Sequence, residues 1–183
     1  VVRVLEADDS HTRLWRDGWL LAFGAAAVGQ GVVALASSDP RLRVPAIVGG
    51  AKSTLGFLSV LVGPASAHPR SAASDVRLLP DRTPDERRAA LRAAEARLAS
   101  AAEEERLRRS WVTLIGGALV NLAGAYVSWI GYKQYATGWI GLGLGLAVSQ
   151  TQFHTQPTEA LRADSRRRLD VSIVPPFGLA LVF

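Results

Sequence analysis

The chain has 183 residues, enough for one domain, of which 49% are hydrophobic and 20% charged, with a net charge of +5 and no cysteine. The missing cysteine excludes disulfides, thiolate metal sites and cysteine nucleophiles. The pI near 10.4 does not point to nucleic acid, because the arginines flank apolar stretches and form no separate basic domain bearing aromatics. Anionic lipid head groups are the counter-charge that fits.

Charged and apolar residues are segregated along the chain. Gly18 to Ser38, Ser110 to Tyr132 and Gln134 to Thr158 carry no Asp, Glu, Lys or Arg, and Val44 to Pro69 is broken only by Lys52. Each run matches the roughly 20 residues that an α-helix needs to cross about 30 Å of hydrocarbon. The expected fold is therefore an all-α membrane protein with four transmembrane helices arranged as two hairpins, plus a charged, amphipathic connector helix.

In chain order, residues 1–18 are a polar lead in which Arg13, Trp15, Arg16 and Trp19 resemble an interfacial belt. Residues 19–64 form the first hairpin: a span from Trp19 to Ala36, a turn opened by Ser37, Ser38, Asp39 and Pro40, and a second span started by Pro45 and ended before Pro64. Residues 65–110 are a soluble connector. Its first part is rich in Pro, Ala and Ser, and its helix 84–109 opens with Thr83, Pro84, Asp85 and Glu86, the residue types of a capping box with acids near the positive dipole end. Leu91 and Leu98 lie one heptad apart, and Glu104 with Arg108 and Glu105 with Arg109 are spaced as i, i+4 ion pairs.

Residues 111–157 form the second hairpin. The span Trp111 to Tyr132 is the most uniformly apolar. The last span, from Gly138 to about Phe153, is glycine-rich and then polar, and it needs protein neighbours. Residues 158–183 are a tail whose period-two apolar positions, from Val171 and Ile173 to Phe183, fit a short strand or a lipid-facing segment; a final strand of an outer-membrane barrel is the alternative.

The halves share a layout. Trp19 and Pro64 bracket one hairpin, Trp111 and Pro157 the other, with Gly24 matching Gly116 and Gln30 matching Asn121, which suggests a duplication. Seventeen of the 21 Lys and Arg lie in the lead, connector and tail, against Arg41, Arg43 and Lys133 in the two turns. The positive-inside rule then places both termini and the connector in the cytoplasm. Because the chain starts at Val1, it is read as processed or a fragment, and a removed signal peptide would reverse that orientation. The arginine, alanine and glycine bias suggests a bacterial source and an inner-membrane address.

The costly polar residues inside the spans are the candidate polar path or ligand site: Lys52, Gln30, Asn121, Gln150, Gln152 and His154. A lysine in mid-span costs about 2.5–3.5 kcal/mol, so Lys52 either snorkels toward the Arg41 side or faces a polar interior where Gln30 and Asn121 are its expected partners. The alternating polar residues from Ser149 to Gln156 do not share a helical face, so this segment is expected to unwind before Pro157. Helix-packing candidates are Gly29, Gly49, Gly141 and Gly145, which permit close backbone approach. Gly141, Gly143 and Gly145 form a possible oligomer face. The phosphate-loop likeness of Gly50 to Thr54 fails because Ala46 and Ala51 stand where the motif requires glycine and because the loop needs a preceding strand.

His11, His68 and His154 are too dispersed for a metal motif, no catalytic triad or carboxylate pair is visible, and no metal or cofactor is expected. The expected role is a non-enzymatic accessory, scaffold or assembly subunit of a membrane complex. Its partners would be the lipid bilayer and a partner membrane protein or a second copy, with no nucleic acid. A small oligomeric transporter or channel is the alternative.

Overall fold

In the computed structural model, every element among the described residues, 1–63, 72–80 and 82–173, is helical. The helices are α1 (Val2–Ala36), α2 (Pro40–Leu61), α3 (Ala72–Arg77), α4 (Pro84–Arg108), α5 (Trp111–Tyr126), α6 (Tyr135–His154) and α7 (Glu159–Ile173), with a π-helical turn, Val127–Gly131, after α5. Three helical stretches are long and apolar enough to cross a membrane: Val2–Ala36, Pro40–Leu61 and Pro84–Gly131, the last read through the break between α4 and α5. α6, the expected fourth span, is not among them.

Several boundaries depart from expectation. The polar lead is the first part of α1 and not a separate segment. α2 starts at Pro40, five residues before Pro45, because the Asp39 carboxylate accepts the Arg41 N–H at 2.9 Å and Pro40 takes the first helical position, where its missing N–H costs nothing. Pro45 then sits inside the helix. The connector gains the short α3, and the region assigned to a tail contains α7. Val171 and Ile173 are helical there, so the period-two strand does not start at them. His68, Phe183 and the remaining tail positions after Ile173 lie outside the described residues.

The residues pack as two compact units. Unit 1 comprises Val1–Asp9, Arg70–Arg106 and Thr158–Phe183. Its core is Leu5, Ala73, Leu98, Ala102 and Ala160, flanked by Val4, Val76, Ala101 and Ala163. Alanine dominates, so the helix backbones approach closely with little side-chain volume between them. The capping box of α4 is complete: Thr83 Oγ1 accepts the Glu86 N–H at 3.2 Å, and Glu86 Oε2 accepts the Thr83 N–H at 2.9 Å. The buried stripe of α4 runs Ala94, Leu98, Ala102, Glu105. Leu91 is exposed.

Glu105 therefore does not pair with Arg109: it points into unit 1, and its Oε2 accepts the Leu161 N–H at 2.6 Å. Around this core, Arg77 pairs with Glu6, Arg97 with Asp75 at 3.3 Å, and Arg167 with Glu95 at 2.9 Å. These pairs keep contact with solvent and are each worth about 0–1 kcal/mol.

Unit 2 comprises Ser10–Pro69 and Leu107–Pro157. In it α5 and α6 form the closest helix pair, and α2 packs on both. The α1–α2 contact is made by side chains seated on glycines. Phe23 lies on Gly56, Phe57 on Gly24 and Gln30 on Gly49, an order that fixes an antiparallel hairpin. In the second hairpin Trp129 lies on Gly138 and Asn121 on Gly145. The turn between α5 and α6 is tied by Gln134 N–H to Ser128 O at 2.9 Å and Trp129 Nε1–H to Tyr135 O at 3.1 Å. Lys133 takes a positive φ of 56° to close it. Gln134 Nε2 also donates to Pro40 O at 2.9 Å, so the two hairpin turns touch.

The register of α4 is testable with two leucines. Leu98→Ala is expected to destabilise the protein by about 2–4 kcal/mol, while Leu91→Ala changes stability by less than about 0.5 kcal/mol. Thermal unfolding in detergent with matched helix content is the measurement, and equal effects would refute the register.

Candidate functional site

Lys52 carries the only formal charge within the apolar run of α2. With the helix starting at Pro40, Lys52 is about 18 Å along it at 1.5 Å per residue, just past its middle. Its stem passes over α5, where a methyl at Gly124 would lie 2.9 Å from Lys52 Cδ. Its Nζ then donates to Gly141 O of α6 at 3.0 Å. That carbonyl has a second lone pair available beyond its helix bond. The lysine is thus directed into the neighbouring helix and does not end in the turn that holds Arg41.

Asn121 of α5 is buried. Its Nδ2 donates to Gly117 O at 2.9 Å, within its own helix, and to Ser149 Oγ of α6 at 3.1 Å. Its Oδ1 has no hydrogen-bond partner. Both Asn121 Oδ1 and Lys52 Nζ crowd the face of Gly145: a methyl there would lie 2.6 Å from Lys52 Nζ and still closer to the amide oxygen. Lys52 and Asn121 thus lie against the same glycine, with no hydrogen bond from Lys52 to the amide oxygen.

Gln30 is elsewhere. Its side chain covers Gly49, where a methyl would lie 2.9 Å from Gln30 Cδ, and its Oε1 is buried without a hydrogen-bond partner. The structure thus brings Lys52, Asn121 and Ser149 together and leaves Gln30 at the α1–α2 contact. Ser149 was missed as a partner because it was read with the polar run that follows it.

That run does not unwind. α6 stays helical to His154, and its hydroxyls bond back along it: Thr151 Oγ1–H to Ala147 O at 2.9 Å and Thr155 Oγ1–H to Thr151 O at 2.7 Å. Only from Thr155 does the chain leave the helix. Gln150 and His154, four residues apart, are exposed on one side of the helix and Gln152 is half-buried on the opposite side, so the three form no cluster. Trp15 and Trp19 instead converge on this end, their indole N–H groups donating to Thr155 Oγ1 at 3.2 and 3.4 Å. Arg109 lies 5.2 Å from the centre of the Phe153 ring, a cation–π contact.

The packing glycines divide by what they face. Gly49 and Gly145 receive Gln30 and the Asn121–Lys52 pair, whereas Gly29, Gly141 and Gly143 would meet nothing within 4 Å if given a methyl. The Gly141–Gly145 ridge is therefore not one surface, since Gly145 faces inward.

Chemically, this site offers one amine, one amide oxygen and one hydroxyl between α2, α5 and α6. No carboxylate or imidazole touches Lys52 among the described residues, so no acid–base pair is assembled around it. A membrane hydrogen bond is worth about 0.6–1.7 kcal/mol, less than the cost of a buried lysine, so the bond to Gly141 O offsets only part of that cost. Comparison with family models, with curated proteins and with solved structures finds no match.

Gly145→Ala is expected to force Lys52 and Asn121 apart and to cost about 1–3 kcal/mol. Gly143→Ala, facing open space on the same helix, should leave stability unchanged or slightly raised. Denaturant unfolding of the two variants in one detergent decides, and a silent Gly145→Ala would contradict the geometry.

Proposed function

We propose that the protein is a bacterial inner-membrane protein with four spans in two hairpins, acting as an accessory, scaffold or assembly subunit of a membrane complex and not as an enzyme. The observation that carries this reading is that the polar groups within the apolar helices are turned into helix–helix contacts: Lys52 on Gly141 O and Asn121 on Ser149. Gln30 sits apart from them, and Gln150 and His154 face outward. A structural use of the polar residues leaves the outer faces for lipid and partners.

Those faces are apolar. Leu21, Val28, Val32 and Leu35 are exposed along one side of α1, and Ile140, Leu144 and Val148 are exposed four residues apart on α6. Exposed apolar surface of this kind belongs against lipid or another protein. It supports α6 as the fourth span despite its polar end. The contact between the two turns, Gln134 to Pro40, suits hairpins that share one orientation. With the turns poor in basic residues, the positive-inside rule then puts both termini in the cytoplasm. The duplication is supported by a shared device, since each hairpin seats an amide of its first helix on a glycine of its second: Gln30 on Gly49, and Asn121 on Gly145.

A transporter or channel is the second reading, favoured by one observation. Gln30 Oε1 and Asn121 Oδ1 are buried without hydrogen-bond partners, as groups lining a wet path would be.

The two readings part experimentally. The accessory reading expects the protein to leave native membranes in mild detergent with a stoichiometric companion. It expects that companion to survive Lys52→Ala and to be lost with Gly29→Leu or Gly141→Leu, which enlarge glycines facing open space. A homo-oligomer without companions, with solute flux in vesicles abolished by Lys52→Ala, would overturn it in favour of transport.

A further inference from the structure

Glu105 occupies the one position of the α4 stripe where a hydrophobic residue would be expected. The stripe runs Ala94, Leu98, Ala102, Glu105, and the glutamate is 0% exposed. Its Oε2 accepts the Leu161 N–H at 2.6 Å, and its Oε1 is buried with no hydrogen-bond partner. Carboxylate oxygens of Asp8 from α1 and Glu159 from α7 join it, one atom from each of the three residues lying within 4.8 Å of the others. All three residues belong to unit 1.

Glu105 is fully buried, and burying a charge is costly unless it is paired or coordinates a metal. No Lys or Arg pairs with Glu105 among the described residues. The unpartnered Glu105 Oε1 is an acceptor without a donor, in a donor set made only of oxygens.

We propose that Asp8, Glu105 and Glu159 hold a hard divalent cation of the size of Ca²⁺, which ties α1, α4 and α7 together within unit 1. An all-carboxylate set without His or Cys selects hard cations over Zn²⁺ or Cu²⁺. Ca²⁺ takes several carboxylate oxygens in flexible geometry, whereas Mg²⁺ keeps most of its waters and usually takes one or two carboxylates, so three carboxylates from three helices suit the larger ion. Backbone and water oxygens would complete the shell, as they do at other Ca²⁺ sites.

The site was invisible in the sequence because its ligands come from three helices far apart in the chain.

The test uses the full chain, stripped of metal and held in an uncharged maltoside detergent, titrated with CaCl₂ by calorimetry with thermal unfolding in parallel. The expected result is one Ca²⁺ per chain with a dissociation constant of about 0.1 mM or tighter, a higher unfolding temperature with Ca²⁺, and weaker competition by Mg²⁺. Glu105→Gln, nearly the same shape and still able to accept from Leu161, should weaken binding at least tenfold. Glu159→Gln, at a half-buried position, should do the same and serves if the first variant does not fold. Glu95→Gln, in the same unit but paired with Arg167, should bind as the unaltered chain does. Absence of saturable binding by the unaltered chain overturns the proposal, as does equal affinity in both cluster variants. A Glu105→Gln protein that is more stable at every Ca²⁺ concentration, with no metal dependence in the unaltered chain, would also overturn it and show a shared proton in the cluster instead.

Discussion

Lys52 reaches the carbonyl of Gly141 only because residue 145 has no side chain. A helix normally hides its carbonyls behind the side chains of the following turn, and any Cβ at 145 would occupy the space that Lys52 Nζ and Asn121 Oδ1 share. The same constraint recurs through unit 2, where each sizeable side chain at a helix contact has a glycine beneath it: Phe23 on Gly56, Phe57 on Gly24, Gln30 on Gly49, Trp129 on Gly138. Burial of apolar area does not drive helices together in lipid, where the alternative surroundings are equally apolar. Close fit and interhelical hydrogen bonds do so instead. Glycine supplies both, since it admits the large side chain and exposes the backbone acceptor.

Unit 1 solves a different problem with different residues. Its interior is mostly alanine with Leu5 and Leu98, and its periphery is arginine and carboxylate. So small a core carries little hydrophobic driving force, at roughly 25 cal/mol per Å² of apolar surface buried. Glu105, buried with one oxygen unpartnered, subtracts from that unless something neutralises it. The stability of this unit therefore turns on how that charge is balanced more than on the exposed ion pairs around it.

Which features were legible follows from how local their causes are. The charge-free runs over α1, α2 and α5 are composition within one segment, and the helices stand where those runs do. The capping box at Thr83 and Glu86 spans four residues, and its hydrogen bonds are present as read. The start of α2 was misplaced because two prolines competed. The choice fell to the N-cap Asp39, whose carboxylate lies one residue before Pro40. The α7 helix was hidden by the apolar alternation after Val171, which drew attention from the helix-forming Glu159 to Arg167 segment. Glu105 was assigned to Arg109 by a rule that sees only i, i+4 neighbours on one helix; burial against α7 decided otherwise. That Lys52 would lie near Asn121 was legible because two costly groups in lipid must find company, though Lys52 bonds to Gly141 O and not to the amide oxygen. That Gln30 would be elsewhere was not, since depth along a span does not tell which face a side chain takes.

The polar end of α6 shows how a helix can be read wrongly from pattern alone. Residues 149–156 alternate polar types in a way no single face accommodates, and in isolation that argues for unwinding. Yet the hydroxyls are satisfied without it: Ser149 by Asn121, Thr151 by its own helix, and Thr155 by two indoles and the Thr151 carbonyl. Gln150 and His154 face outward, where water or head groups serve. Helix is kept because backbone bonds are the costliest to give up in a water-poor setting, and side chains with several rotamers find partners around an intact helix more cheaply than the backbone finds them by opening. The low apolarity of α6 is then the consequence of its neighbours. A helix that is packed on α5, met by Lys52 and capped by Trp15 and Trp19 does not need the uniform hydrophobicity that a span alone in lipid requires.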